Sequence, residues 1–341
     1  MASTLRSDVI IPEVFTPYVI EATTQRDAFL ASGVVQPMEQ LNASEGGGDF
    51  VQVPHWKANL AGDFETLTDS TSLTPGKITA DKQVAAVLHR GRAFEARDLA
   101  ALAAGSDPMA AIGNKIADYI ANQRQKDLLS CLGGVFGAVG DTSSAAYAAL
   151  AVDGLTTDTP TDLGPRQIVV GKSLLGDQGE KLAAICVHPN VYYDLMERRA
   201  IDFIYDDSGI ADTAASQGST APAFGDVRVP TFMGMRVIVS SDVQTAGSGA
   251  TTEYASYMFT EGAIGSGEQL GLQTETDRDI LAKSDAMSID LHYVYHPIGS
   301  KFSTAVANPT RAQLETVGNW TKVYETNNIG IVRITTTSGI D

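Results

Sequence analysis

The chain has 341 residues, 43% of them hydrophobic and only 19% charged, with 32 glycines. Such a composition predicts an ordered protein of about two domains or one elaborate one, and excludes a disordered chain. A formal net charge of -17 excludes a protein whose main task is gripping phosphate backbones, which needs clustered Lys and Arg to displace counterions.

The N-terminus MASTLRSDVIIPEVF has no continuous apolar segment, and no run of about 18 apolar residues follows it. A soluble chain made in the cytoplasm, with no membrane partner, is expected. Residues 1–15 read as extended. Thr16 and Pro17 then open a helix over Tyr18–Leu30, with Gly33 suited to its stop. After Gly46, Gly47 and Gly48, two strand-like runs, DFVQVPHWKANL and ITADKQVAAVLHRGRAFEA, bracket the polar tip AGDFETLTDSTSLTPGK. The pattern predicts a protruding hairpin, with Pro54 suited to an edge strand. A two-stranded ribbon is marginal in water and needs something to lie on.

Ser106 or Asp107 caps a helix opened by Pro108, and Met109, Ile112, Ile116, Ile120 and Leu128 fall on one stripe before Gly133 and Gly134 close it. About 25 residues make a rod of roughly 37 Å. Residues 135–165 read as loop. Beyond them a helix near Gln167–Leu175, the strand LAAICVHP, the helix NVYYDLMERR and the strands MGMRVIVSS and YASYMFTEG alternate, separated by loops at 206–226 and 244–252. The strand SIDLHYVYH, a short helix near Thr310–Val317 and the strand IGIVRITTT complete an α+β pattern.

Several stretches suggest chemistry. Cys131 and Cys186 sit in apolar settings without a C-x-x-C partner, as buried hydrophobes do. Gly171, Lys172 and Ser173 match the end of a phosphate-binding loop, but the glycine required five residues earlier is Arg166. In ETDRDILAKSDAMSIDLHYVYHPIG, Asp277 and Asp279 flank Arg278, which would hold both ionised, and His292 and His296 follow. Alternation puts the two histidines on one strand face about 13 Å apart, too far for one zinc ion. The charges therefore read as an interface network, with the basic cluster HRGR at His89–Arg92 facing an acidic surface of another subunit. No metal or cofactor is expected.

The order of these pieces resembles the major capsid proteins of tailed bacteriophages, with the Hong-Kong-97-type fold. The resemblance rests on VFTPYVIEATTQRDAFLASGVV, the hairpin, the long helix, AICVHPNVYYDLMER, VPTFMGMRVIVSSDV, YASYMFTEGAIGSG, the ETDRD segment and NPTRAQLETVGNW. It implies an N-terminal arm (1–48), an extended hairpin loop (49–95), a peripheral domain with a spine helix (96–140), an axial domain (141–285) and strands returning to the peripheral domain (286–341). It further implies a non-enzymatic shell subunit forming hexamers and pentamers around double-stranded DNA, without sequence-specific binding. Because the arm begins almost at Met1, a separate scaffolding protein is expected, with portal and decoration proteins as further partners and the virion as destination. The inter-subunit contacts expected are Lys57, Arg90, Arg92, Glu275, Asp277, Arg278 and Asp279. Two alternatives stay open: an encapsulin-type shell around a cargo enzyme, and a metal-dependent hydrolase using His292, His296, Asp277 and Asp279.

Overall fold

A computed structural model describes residues 29, 32–42, 48–57, 64, 66, 76–98, 108–140, 144–152, 162–198, 200–205, 228–249, 252–281 and 283–339. The expected N-terminal helix (apart from Phe29), the cap at Ser106 or Asp107 and the loop over 206–226 lie outside them. In chain order the elements are β1 (Val35–Pro37), β2 (Phe50–Trp56), β3 (Ala80–Ala86), β4 (Leu88–Arg97), α1 (Pro108–Phe136) and β5 (Ala151–Val152). Then come α2 (Pro165–Ser173), β6 (Leu182–Val187), α3 (Pro189–Glu197), β7 (Asp202–Tyr205), β8 (Arg228–Phe232), β9 (Met235–Val239) and β10 (Thr245–Ala246). The last are β11 (Glu253–Thr260), β12 (Ile264–Asp279), β13 (Ser284–Pro297), β14 (Ser300–Phe302), α4 (Arg311–Glu315), β15 (Trp320–Lys322) and β16 (Ile331–Thr336).

These strands form three sheets. The largest runs β5-β16-β11-β6-β9-β8-β7, with β10 against β11. Its central strands β6, β11 and β16 are almost wholly buried, as strands covered on both faces must be. Helix α2 approaches this sheet so closely that a methyl at Gly171 would overlap Met258 and touch Ile334. A second sheet, β1-β12-β13-β4, lies under the N-terminal half of α1, where Ile116, Ala117 and Ile120 pack on Met287 and Ile289. The third, β15-β14-β3-β2, forms the base of the hairpin, with Pro54 on its edge strand β2.

Three expectations need correction. The hairpin's second strand is two strands: β3 pairs with β2, but past the buried Val87 the chain crosses into β4 and pairs with β13. The hairpin's base therefore lies on its own chain, against Leu41 and Val294. Helix α1 runs through Gly133 and Gly134 to Phe136 and ends at Gly137 in the left-handed region. Those two glycines are sites of close approach: a methyl at Gly134 would overlap the Leu314 carbonyl oxygen and the Trp320 ring. The stretch 135–165 is not all loop, since it supplies β5. Strand β12 joins the sheet beneath α1, while β16 enters the eight-stranded sheet beside β11.

Candidate assembly surface

Asp127 of α1 is fully buried. It lies seven residues after Ile120, on the core-facing stripe, and a carboxylate there must be paired. Arg90 of β4 donates Nε–H to Asp127 Oδ2 at 3.0 Å, the Tyr293 hydroxyl of β13 donates to the same oxygen at 2.6 Å, and Arg311 Nε–H donates to Oδ1. Arg90 also reaches the Pro309 carbonyl at 2.8 Å, and Arg311 reaches the Gln123 side-chain oxygen at 2.6 Å. One carboxylate thus ties the long helix to two strands and to α4. Burial, then the neighbouring Asp127 charge, pushes the Tyr293 phenol well up. Thr310 positions Arg311 through a capping box with Gln313.

Beside this node is a cavity of about 180 Å³ whose walls include Arg90, Arg92, Arg124 and Arg311. Arg124 lies over the Tyr293 and Tyr295 rings, at 5.2 and 5.6 Å from their centroids, and 3.6 Å from Glu268. Arg92 is exposed at the cavity's edge on β4, opposite Ile289.

The long β12–β13 hairpin carries the other expected contacts. Arg278 does not bridge Asp277 and Asp279, as its position between them suggested. Its guanidinium donates to Asp285 and Asp98, both at 2.7 Å, and these hydrogen bonds raise its pKa above the usual arginine value. Asp277 accepts from the Arg278 amide and Asp279 from the Leu281 amide, each at 2.8 Å. Glu275 is exposed on β12 opposite Ser288. At the turn, Ile280 and Leu281 are 80% and 97% exposed. On the other hairpin Lys57 lies 3.8 Å from Asp81, next to exposed Trp56.

The hydrolase constellation does not assemble. Asp277 and Asp279 pair in register with Ala286 and Ser284 at the turn, whereas His292 is six residues further along β13, roughly 20 Å away. His292 lies against His89, with ring centroids 4.3 Å apart, and partial burial followed by the His89 charge lowers its pKa. His296 is buried and pairs through Nε2 with the Ser300 carbonyl at 3.1 Å. Lys172 and Ser173 close α2 rather than precede it, which is the wrong helix end for phosphate. Cys131 and Cys186 are free and buried, and burial pushes both thiols up.

Asp127, Arg124, Tyr293 and Arg311 were missed as a group from sequence. The legible signal was an aspartate on an apolar helix stripe.

Comparison with known proteins gives the same answer from two directions. Residues 80–308 match the phage capsid protein family. The chain is 36% identical to the major capsid protein of Bacillus phage SPP1, over 98% of each chain. Its fold is similar to the cyanophage Pam1 capsid subunit, with a TM-score of 0.56 at 12% identity over 93% of both chains. It is also similar to the Ralstonia phage GP4 capsid, with a TM-score of 0.52 at 11% identity over 90% of this chain and 88% of that one. The chain belongs to the phage capsid protein family, and its fold is of the Hong-Kong-97 type.

Proposed function

We propose that copies of this chain, grouped as hexamers and pentamers, tile the icosahedral head of a tailed phage and enclose double-stranded DNA without sequence-specific binding. A separate scaffolding protein directs the assembly in the host cytoplasm, and portal and decoration proteins complete the particle. The observation that carries this reading is the hairpin on β2 and β3. Its described residues Trp56, Phe64 and Ile78 are exposed, and such large apolar side chains call for a covering neighbour. A shell needs no catalytic step. Its strength is the sum of many contacts, each of modest area.

In this reading the eight-stranded sheet with α2 and α3 is the axial part, and α1 with β4, β12 and β13 is the peripheral part. Lys57, Arg92, Glu275 and the Asp277–Asp279 turn face neighbouring copies. Electron microscopy of particles from cells expressing the chain with its phage's scaffolding protein tests this. Closed icosahedral shells are the expected result. Only dispersed subunits, or shells filled with a protein cargo, would overturn it.

A further inference from the structure

We propose that His89 of β4 and His292 of β13 form a two-imidazole site for a divalent transition-metal ion such as zinc, which pins the edge strand β4 to the sheet beneath α1. The site is independent of the reading that copies assemble into a shell.

From sequence, the histidine to weigh as a partner for His292 was His296, and strand spacing keeps those two apart. The sheet gives His292 a different partner. His89 is directly opposite it across β4 and β13, and the two rings are tilted by 36° with centroids 4.3 Å apart. Two nitrogens bound tetrahedrally to one zinc ion, each at about 2.1 Å, are roughly 3.4 Å from one another, a span that these rings reach by small side-chain rotations. The neighbouring Arg90 and Tyr293 reach Asp127 on the helix side of the sheet, so His89 and His292 project from the other face. On that face Val294 is buried against Leu41 and Val87, while Asp290 is exposed. The half-buried pair therefore lies at the margin of a covered patch, open to an ion from water.

The surroundings prepare the two rings as ligands. Gln269 of β12 donates its amide N–H to the Gly48 carbonyl at 3.3 Å, which leaves its Oε1 to accept from His89 Nε2–H at 3.2 Å. That bond fixes the tautomer of His89 and frees the Nδ1 lone pair, the arrangement by which a ligating histidine is held by a second group. Among the described residues it is the one hydrogen bond made by either ring. The ladder between β12 and β13 slips on both sides of Leu270, the residue opposite His292, and such bulges re-aim side chains. Here the neighbouring Gln269 reaches over β13 to His89. Asp290 is opposite Gly91, where a methyl would overlap its carboxylate, so glycine makes room for a negative charge beside the pair. Partial burial, then the His89 charge, lowers the pKa of His292 against the opposing effect of Asp290, which favours the neutral ring that a metal requires. Among the described residues no three His, Cys, Asp or Glu converge on one point, so water completes the shell of the ion.

The test titrates zinc into the purified, unassembled full chain and follows binding by calorimetry. The expected result is a single site per chain, which H89F and H292F, keeping the ring packing, each weaken by at least tenfold, and which Q269L, a change to a positioning residue, weakens by about tenfold. Zinc at a hundredfold excess over its dissociation constant is expected to raise the melting temperature of the unaltered chain by about 4 °C and to leave that of H292F in place. Absence of zinc binding by the folded, unaltered chain overturns the proposal, and so does binding that survives both H89F and H292F. Should those variants fail to fold, chemical protection in the unaltered chain decides. Zinc is expected to shield His89 and His292 from acylation by diethyl pyrocarbonate while His55 and His188, also half-buried, are labelled as before. Equal labelling of His89 and His292 with and without zinc overturns the proposal.

Discussion

Arg90 and Asp127 meet at 3.0 Å where β4 crosses the long helix, and the carboxylate is completely buried while the guanidinium side chain is 25% exposed. This asymmetry sets the cost of removing either partner. Without the Asp127 charge, Arg90 and Arg311 would be left side by side, half-buried and uncompensated, and the Tyr293 hydroxyl would lose its acceptor. D127A is expected to destabilise the unassembled chain by about 3 kcal/mol, near the lower end for a broken buried pair because both arginines keep some contact with water. R90Q leaves Asp127 still bonded to Arg311 and Tyr293, so its cost is expected to be about half as large. Urea unfolding curves of the two variants check the order, and equal midpoints would refute this account of the node.

Gly134 offers a test in which two effects oppose each other. Helix propensity alone favours alanine over glycine in a helix interior by about 1 kcal/mol. The Trp320 Nε1–H, however, donates to the Leu314 carbonyl at 2.7 Å directly over Gly134, and a methyl would overlap both groups. G134A is therefore expected to lower the melting temperature by about one to two degrees, since a loss of about 2 kcal/mol from overpacking outweighs the propensity gain. G133A faces mainly the Gln244 side chain, which can move aside, and is expected to cost less. Calorimetry on both variants measures the difference.

The opening helix stripe, the strands over AICV, RVIV and YASYMF, and the capped helix after Thr310 were legible because each is local. Their apolar period or end signals lie within a dozen residues. Strand β12 was not legible: GSGEQLGLQTETDRD is glycine-rich and polar, and it is a strand because β13 pairs with it along nearly its whole length. The break at Val87 was hidden for a related reason. VAAVLHRGR reads as one continuous strand, and only the competing partners β2 and β13 divide it. The charges of the ETDRD turn were recognised, but adjacency in sequence suggested the wrong partners. On a strand, neighbours point to opposite faces, so Arg278 pairs across the sheet with Asp98 and Asp285 instead.

His296 gives the fold an acid limit. Its ring is fully buried beside Trp320, its Nε2–H donates to the Ser300 carbonyl, and Nδ1 has no partner among the described residues. Burial lowers its pKa from 6.5 to about 4, against the opposing effect of the Ser300 hydrogen bond. Above pH 6.5 both folded and unfolded chains hold the imidazole neutral, and its contribution to stability is complete. As the pH falls from 6.5 to about 4 the unfolded chain takes up the proton first, and stability is lost by about 3 kcal/mol across that window. H296Q is expected to be less stable at neutral pH but to show a flatter pH dependence between 6.5 and 4. Unfolding free energies at several pH values, for both chains, read out the difference; parallel curves would refute it.

The hairpin tip separates folding from assembly. The stem strands β2 and β3 are held by Leu41, Val294 and sheet partners in their own chain, so residues 80–86 belong to the folded body. The residues between Lys57 and Ile78 are flanked by a weak, exposed Lys57–Asp81 pair worth less than about 1 kcal/mol. Replacing residues 59–76 with a short Asn-Gly turn is therefore expected to leave the melting temperature of the unassembled chain within a few degrees of its original value. The same change is expected to abolish stable shells, because the exposed Phe64 would no longer be there for a neighbour to cover. Calorimetry and electron microscopy on one preparation measure both. Normal shells from the shortened chain would show that the tip is dispensable, and an unfolded chain would show that it belongs to the fold.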